Sequence, residues 1–306
     1  MTEQSVIGMN DSPVSSFRVE FKGVVKSFDG SRASDKQLVL DHLDLKLPCN
    51  EGSNFVMLLG PSGCGKSTAL SLICGLQRPD QGQVLINGEE LSGPNHFAAT
   101  VPQAYTCFPW KSVLGNVMFG LRINRTTIAE LTREESERKY LGRGDRKKLA
   151  VDYLKKVGLG DRLHARPKQL SGGMQQRVAI ARTLVLKPPI VLMDEPFGAL
   201  DAQTRADMQR MLLDLWEEEK SLVIFVTHDI NEALLLADDI VVFPSRPVTT
   251  EKLFHVNVKS ELGEQKSRIS SNPLFGKLAE ELRERLKPKN VVAGADQGKS
   301  ATAAIQ

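Results

Sequence analysis

The chain has 306 residues, of which 41% are hydrophobic and 25% are charged. This balance excludes an intrinsically disordered chain and allows one large α/β domain with appendages, or two small domains. Lysine and arginine exceed aspartate and glutamate by 40 − 37 = 3 residues, a surplus too small to indicate nucleic acid as a partner. No apolar run approaches the roughly 18 residues of a membrane span, and no secretory signal pattern is evident. The four cysteines form no CxxC pair, which favours a reduced, cytosolic setting.

The first third of the chain is rich in strand patterns. Residues 1–16 are polar and aperiodic, and we expect a flexible tail there. Alternating apolar residues over 17–47 predict short strands around a turn at 29–31. The apolar run 84–86 before Asn87-Gly88 predicts a strand that enters a hairpin.

The later part of the chain alternates helices with buried strands, which indicates a largely parallel sheet. The charged stretch 124–150 is expected to be an exposed segment that lies outside the hydrophobic core. Sheet patterns fade beyond Pro244, and residues 291–306 are expected to be mobile. The predicted helices are 174–186, 205–219 and 272–286, and the predicted buried strands are 190–193 and 222–226.

A glycine-rich loop lies between the apolar run 54–59 and a segment with helical periodicity. It matches G-x-x-x-x-G-K-[ST], whose glycines turn backbone N–H groups toward phosphate at a helix N-terminus. Lys66 adds a positive charge near the β- and γ-phosphates, and the Ser67 hydroxyl can bind Mg²⁺. Cys64 occupies a variable position without an evident base, so we do not expect a nucleophile. The expected nucleotide-binding residues of this loop are Gly60, Pro61, Ser62, Gly63, Cys64, Gly65, Lys66, Ser67 and Thr68.

Two carboxylates follow the predicted strand 190–193. A parallel strand delivers Asp194 and Glu195 to the carboxyl edge of the sheet, where ligands of open α/β sheets bind. Asp194 is expected to hold Mg²⁺ together with Ser67. Glu195 is expected to polarise the attacking water.

The segment LSGGMQQR at 170–177 resembles the signature of the ATP-binding cassette family, and the other motifs of that family occur in the expected order over residues 17–250. Phe28 resembles the aromatic residue that stacks on adenine, Gln103 the Q-loop glutamine, the motif Gly198-Ala199-Leu200-Asp201 (198–201) the D-loop, and His228 the switch histidine. The resemblance implies an α/β P-loop NTPase fold of ABC type. Such a fold has a mostly parallel sheet core, an antiparallel β subdomain and a helical subdomain at about 104–186. It also implies ATP and Mg²⁺ as cofactors. The residues it assigns are Glu195, His228 and Gln103 for catalysis, Ser67, Gln103 and Asp194 for the metal, and Phe28, Asp194, Ser171, Gly172, Gly173 and Asp201 for nucleotide binding.

The signature also offers a second anion site, because Ser171 suits a helix N-cap and two glycines leave backbone N–H groups bare. One subunit cannot easily place two such helix ends on one phosphate, and the family's solution is a head-to-tail dimer that sandwiches two ATP molecules. The fifth signature position is Met174 rather than glutamine. We expect ATPase activity to be retained, and leave open whether Gln175 or Gln176 compensates.

A lone cassette without membrane spans resembles the energising subunit of an importer. The runs 108–117 and 196–205 are similar to the nitrate, sulfonate, taurine and bicarbonate importer ATPases, which implies a small anion as cargo. The implied partners are a second ABC subunit (identical or a close paralogue), integral membrane subunits and a separate solute-binding protein, with no nucleic acid. The implied location is peripheral, on the cytoplasmic face of the inner membrane. An apolar patch just after Gln103 is a candidate docking surface for the membrane partner: Tyr105, Phe108, Pro109 and Trp110.

Two other functions stay open at this point. A soluble, non-transport cassette protein acting on ribosomes or DNA is one, although such proteins usually resemble fused cassettes or carry long coiled coils. A P-loop kinase is the other, but it explains neither the signature nor the motif at 198–201. Residues 251–306 are expected to form a short helical extension and a mobile tail without a folded sensor domain.

Overall fold

Strands and helices alternate in the computed structural model, which describes residues 17–29, 36–103, 107–123, 142–263 and 272–287. The expected tail at 1–16, residues 124–141 of the charged stretch 124–150 and the expected mobile end at 291–306 lie outside the described residues. The strands are β1 (Val19–Asp29), β2 (Lys36–Leu47), β3 (Phe55–Leu59), β4 (Gln81–Ile86), β5 (Glu89–Glu90), β6 (Ala98–Val101), β7 (Ile190–Asp194), β8 (Leu222–Thr227), β9 (Asp239–Val242) and β10 (Phe254–Asn257). The helices are α1 (Lys66–Ile73), α2 (Val113–Ile123), α3 (Arg143–Lys156), α4 (Gly172–Leu184), α5 (Ala202–Glu219), α6 (Ile230–Leu236), α7 (Val258–Leu262) and α8 (Pro273–Leu286).

The central sheet has six strands in the order β10-β9-β3-β8-β7-β6. Strands β9, β3, β8, β7 and β6 pair in parallel, and β10 pairs antiparallel with β9. Every residue of β3 and β8 is buried, as expected for parallel strands covered on both faces. Alternate residues of β3 face opposite layers: Met57 lies in one hydrophobic core and Val56 in the other. The predicted mostly parallel core is confirmed.

An antiparallel sheet with the order β2-β1-β4-β5 covers one face of the central sheet together with α1. Its β4–β5 hairpin turns at Asn87 (φ 51°) and Gly88 (φ 85°), where both residues have the positive φ of a two-residue hairpin turn. The hairpin predicted from Asn87-Gly88 is therefore confirmed, as is the antiparallel part of the fold.

Helices α2, α3 and α4 pack together on the opposite face. Val117 and Leu121 of α2 share a core with Tyr153 and Leu154 of α3 and with Val178 of α4. This is the expected helical layer; its limits at about 104–186 stay a prediction. Within the described residues, no helix is both long and apolar enough to cross a bilayer.

The chain beyond Pro244 differs from the expectation that the sheet ends there. β10 adds a sixth strand to the central sheet, and its partly exposed sequence FHVN lacks the alternation that identifies a strand. Helix α8 is confirmed, with Asn272 capping its first turn. Its buried face is Phe275, Leu278, Ala279 and Leu282, whereas Leu274 is 51% exposed because a four-residue spacing drifts around a 3.6-residue helix. The division at residue 250 stays a prediction.

Candidate nucleotide site

Four parallel strands end at one edge of the central sheet. Leu59 pairs with Thr227, Asp194 with Val226, and Val101 with Met193, so the ends of these strands are in register to within one residue. The carboxyl edge of such a sheet is where ligands bind in open α/β folds. The residues that continue from these ends are Gly60, Gln103, Glu195 and His228.

The loop between β3 and α1 has the backbone geometry of a phosphate cradle. Gly63 and Gly65 have φ angles of 78° and 120°, which side chains rarely adopt. A Cβ at Gly60 would lie 2.3 Å from the carbonyl oxygen of Phe243, so only glycine fits there. Pro61, Ser62 and Gly63 are exposed, so the outer part of the loop is open to a ligand. The loop is therefore built to present its backbone to an anion at the start of α1.

Lys66 lies under this loop and is only 3% exposed. Its ammonium donates hydrogen bonds of 2.8 Å to the carbonyl oxygens of Gly60 and of Pro61, and lies 3.8 Å from Cys64 Sγ. Carbonyl oxygens carry no formal charge, so these bonds do not neutralise the buried cation. The negative charge of a triphosphate fits this environment.

Ser67 and Asp194 meet across 127 positions of sequence. The Ser67 hydroxyl donates to Asp194 Oδ1 over 3.0 Å, and Ser67 is exposed. Burial raises the pKa of the Asp194 carboxyl, and the negative charge of Glu195 adds to that rise against the hydrogen bond from Ser67. A hydroxyl beside a carboxylate whose charge is poorly solvated is a donor set that suits Mg²⁺.

Glu195 and His228 form the second polar pair of the site. Glu195 has a φ of 43°, in the left-handed region, and its backbone N–H donates to Val226 O over 3.1 Å. Its Oε2 lies 3.1 Å from His228 Nδ1, while the Glu195 side chain is 17% exposed and the His228 side chain is 55% exposed. A mostly shielded carboxylate held by an exposed imidazole can accept a proton from water at the edge of the site.

Phe28 lies at the end of β1, in the antiparallel sheet beside the loop. Phe28 pairs with Gln37 of β2. Val39, two residues after Gln37, contacts the phosphate loop: its Cγ1 lies 2.9 Å from the position that a Cβ would take at Gly65. Phe28 is 38% exposed, and Lys26 Nζ lies 5.6 Å from the centroid of its ring. An open aromatic ring at this place can stack on a base, an interaction worth about 1–3 kcal/mol.

Gln103 and Cys64 have opposite exposures. Gln103 follows β6 and is exposed at the same sheet edge, so its amide is available to a ligand. Cys64 is 3% exposed, and burial raises the pKa of its thiol. A buried thiol with a raised pKa is not an activated nucleophile.

The signature turn and the motif at 198–201 lie side by side. Ser171 is exposed and caps α4, accepting from Met174 N over 3.3 Å, and Asp201 is exposed and caps α5 through Thr204 N over 3.0 Å. The hydrogen bond from the Thr204 backbone lowers the pKa of the Asp201 carboxyl. A Cβ at Gly173 would lie 2.8 Å from Thr204 Cγ2, so any larger residue would collide with the start of α5. Glycine at this position therefore allows the two helix ends to pack closely, in addition to leaving the backbone N–H groups bare. The two N-termini form one surface that can receive an anion from outside the subunit.

Met174 and the two glutamines after it are partly or fully buried. Met174 packs against the hydrophobic core, and Gln175 Nε2 donates to Leu170 O within its own turn over 3.3 Å. Gln176 is 0% exposed. These positions do not support the possibility that Gln175 or Gln176 replaces the missing signature glutamine.

Arg246 is a candidate ligand that the sequence analysis missed. Arg246 is exposed, and its Nη2 lies 3.4 Å from the position that a Cβ would take if Gly63 had a side chain. The guanidinium therefore lies beside the phosphate loop. A planar guanidinium with several donors suits phosphate oxygens. No motif spacing links Arg246 to Gly63, since β9 brings it there from the far end of the sequence.

Replacing Arg246 by alanine is expected to weaken ATP binding about fivefold, since one exposed charge contact is worth about 1 kcal/mol. Calorimetric titration with a non-hydrolysable ATP analogue measures this. The matched control is Arg210→Ala, which removes an exposed arginine that pairs with Asp207 over 3.0 Å on α5. Equal affinities in both variants would place Arg246 outside the nucleotide site.

The parallel sheet, the glycine loop with its buried lysine and the carboxylates at the strand ends define a P-loop nucleotide-binding protein. The ABC transporter family profile matches residues 40–198, which is more than half of the chain. The chain therefore belongs to the ABC transporter family; it binds ATP and is an ATPase of that family.

Relatives and solved structures agree with this assignment. The chain is 41% identical over 241 residues to the taurine import ATP-binding protein TauB of Pseudomonas aeruginosa, covering 78% of this chain and 86% of the relative. It is 37% identical over 267 residues to the nitrate import ATP-binding protein NrtD of Synechocystis sp., covering 86% and 93%. A dimeric post-hydrolysis structure of an ATP-binding cassette bound to ADP and Pi has a TM-score of 0.63 and 31% identity, covering 78% of this chain and 98% of that one.

Proposed function

We propose that this ATPase energises an importer of a small anion of the nitrate, sulfonate, taurine or bicarbonate type. The observation that carries the proposal is the similarity to taurine and nitrate import ATP-binding proteins over 78–86% of the chain. The proposal includes integral membrane subunits and a separate solute-binding protein. It places the ATPase peripherally, on the cytoplasmic face of the inner membrane.

The proposed chemistry follows from the polar groups at the sheet edge. Lys66 and the loop backbone bind the β- and γ-phosphates, and Glu195 accepts a proton from the attacking water while His228 orients the Glu195 carboxylate. Water oxygen bonds to the γ-phosphorus, the bond to the bridging oxygen breaks, and ADP and phosphate result. Mg²⁺, held by Ser67, Asp194 and Gln103, would supply neutralisation of phosphate charge.

The remaining proposed nucleotide ligands surround these groups. Phe28 stacks on adenine, and the exposed part of the 60–68 loop encloses the phosphates. The supporting observations are the exposed ring beside the loop and the open outer loop surface. The further residues are Gly60, Pro61, Ser62, Gly63, Cys64, Gly65 and Thr68.

A head-to-tail dimer completes the proposed site. Ser171, Gly172 and Gly173 of one copy would close over the phosphate loop of the other, with Asp201 beside the junction. Support comes from the exposed, adjacent N-termini of α4 and α5 and from the dimeric state of a cassette with 31% identity. The second copy is an identical chain or a close paralogue.

An aromatic surface at the start of the helical layer is the proposed contact with the membrane subunits. Trp110 is 66% exposed, and its ring lies 5.5 Å from that of Phe108. The fully buried Asn116 holds this loop in place, accepting from Phe108 N over 2.7 Å and donating to Ser112 O over 3.0 Å. A rigid loop that presents a tryptophan to solvent is typical of a binding surface. Tyr105, also assigned to this patch, lies outside the described residues.

Uptake of labelled taurine, nitrate and bicarbonate by cells lacking this chain tests the function. We expect uptake of one of these anions to disappear and to return with the intact gene. Complementation with Trp110→Ser should leave uptake at least tenfold lower, because a buried aromatic anchor is worth 2 kcal/mol or more at an interface. The purified variant should hydrolyse ATP normally.

Leu274→Ser is the matched control, since Leu274 is a 51% exposed apolar residue on α8. It should keep both uptake and ATPase activity. Unchanged uptake of all these anions in the deletion strain contradicts the proposed cargo class. Copurification with ribosomes instead of membrane-spanning chains contradicts the transport function itself.

A further inference from the structure

Three potential metal ligands meet far from any motif. Cys49 follows β2, Asp239 begins β9 and His255 lies in β10, yet their ligand atoms all lie within 4.8 Å of one another. In the β9–β10 pairing Asn257 faces Asp239, so His255, two residues earlier, is its diagonal neighbour on the same face. The fold therefore assembles a thiol, a carboxylate and an imidazole from three separate segments.

The group is separate from the nucleotide site. Asp239 is the first residue of β9 and pairs with Val56 near the start of β3. It thus lies at the amino edge of the parallel strands, whereas the phosphate loop and the catalytic carboxylates follow their carboxyl ends. A ligand held here does not belong to the ATP chemistry.

The neighbouring groups are those of an oriented ligand set. Asp239 is 0% exposed, and Asn50 fixes both of its oxygens, donating from N to Oδ2 over 3.1 Å and from Nδ2 to Oδ1 over 2.7 Å. Metal-binding carboxylates are held by hydrogen bonds of this kind. Cys49 is a free, exposed cysteine, and the His255 side chain is 33% exposed, so both remain accessible to an ion.

The separation of the imidazole and the carboxylate is that of a long ion pair and is also compatible with two ligands of one tetrahedral metal. His255 Nε2 lies 3.4 Å from Asp239 Oδ1, longer than the about 2.7–2.9 Å of a charge-assisted hydrogen bond. Two ligands bound at about 2.0 Å in a tetrahedron stand about 3.3 Å apart. The same nitrogen lies 3.4 Å from Asn50 Nδ2, again a long contact. A cation between imidazole and carboxylate matches the separation that the fold imposes.

We propose that Cys49, Asp239 and His255 bind one Zn²⁺ ion, with water as the fourth ligand. A thiolate together with an imidazole selects zinc over magnesium or calcium, which prefer oxygen ligands. Binding releases the thiol proton of Cys49 and the proton on His255 Nε2 to solvent, since the thiolate and the neutral imidazole are the ligands. The ion would tie the loop after β2 to β9 and β10 of the central sheet, away from the nucleotide site.

The full chain, freed of metal by a chelator and kept without nucleotide, provides the test. Co²⁺ replaces Zn²⁺ as a probe because a cobalt–thiolate bond absorbs in the near ultraviolet. We expect one equivalent of Co²⁺ to produce this absorption and Zn²⁺ to abolish it by displacement. Thermal melting of the intact chain should also shift upward with added Zn²⁺.

Cys49→Ser should remove the absorption, and His255→Gln should weaken metal binding at least tenfold. Cys74→Ser, which removes a cysteine outside the group, should behave as the original chain. Both ligands are accessible side chains, and the melting temperature of each metal-free variant checks its fold. Absence of the absorption in the original chain, or its persistence in Cys49→Ser, overturns the site.

Discussion

Replacing Glu195 by glutamine is expected to lower the rate of ATP hydrolysis about 10²–10³-fold while ATP remains bound, since a positioned general base contributes about that much. In the original protein His228 Nδ1 lies 3.1 Å from Glu195 Oε2. Glutamine has the shape of glutamate, so its side-chain carbonyl oxygen can still accept a hydrogen bond from His228 Nδ1. The substitution also removes a negative charge beside Asp194, where it contributes to the raised pKa of that carboxyl. The phosphates then meet less repulsion.

The measurement is twofold: phosphate release, and the molar mass in solution under saturating ATP and Mg²⁺. We expect a dimer to accumulate, because the closed state is no longer consumed by hydrolysis. Lys66→Ala is the contrast, as it removes the buried ammonium under the phosphate loop and should stay monomeric without bound ATP. Turnover at the original rate in Glu195→Gln would exclude Glu195 as the base.

The local motifs made most of this site predictable from the sequence. The phosphate loop and Asp194-Glu195 each follow an apolar strand, and parallel strands bring their carboxyl ends to one edge. The sequence therefore indicated that Ser67 and Asp194 would be close. Their 3.0 Å hydrogen bond depends on the strand order β3-β8-β7, which is not the order along the chain.

The features that escaped the sequence analysis depend on pairing rather than on a local pattern. The four residues of β10 become a strand because β9 offers a free edge, and their own pattern gives no sign of it. Arg246 reaches the loop from the turn after β9, and the group of Cys49, Asp239 and His255 needs that same pairing. The contacts of Arg246 and of Cys49 have no local signature, because their partners are about 180–210 residues apart.

The exposed signature turn makes Ser171→Arg the second substitution with a large expected effect. We expect hydrolysis to fall about 10²–10³-fold, the loss found when a donor to developing phosphate charge is displaced, while the monomer still binds ATP. Arginine also removes the cap of α4, a loss of about 1 kcal/mol. Asn272→Arg, which alters the exposed cap of α8 in the same way, should keep its activity and so separates the loss of a cap from the blocked interface.

Mixing the inactive variants Ser171→Arg and Lys66→Ala decides whether the signature acts on the neighbouring copy. In a mixed dimer, the intact Lys66 of the first variant faces the intact Ser171 of the second, which restores one of two sites. Because neither variant is expected to form its own closed dimer, only mixed dimers, with one working site of two, account for the activity, which should return to at most half of the original if the sites are independent. If Ser171 instead acts on the ATP bound to its own chain, every chain in the mixture has one defective residue in its site. Mixing would then restore no activity. Phosphate release from the two variants, measured separately and together, distinguishes these outcomes.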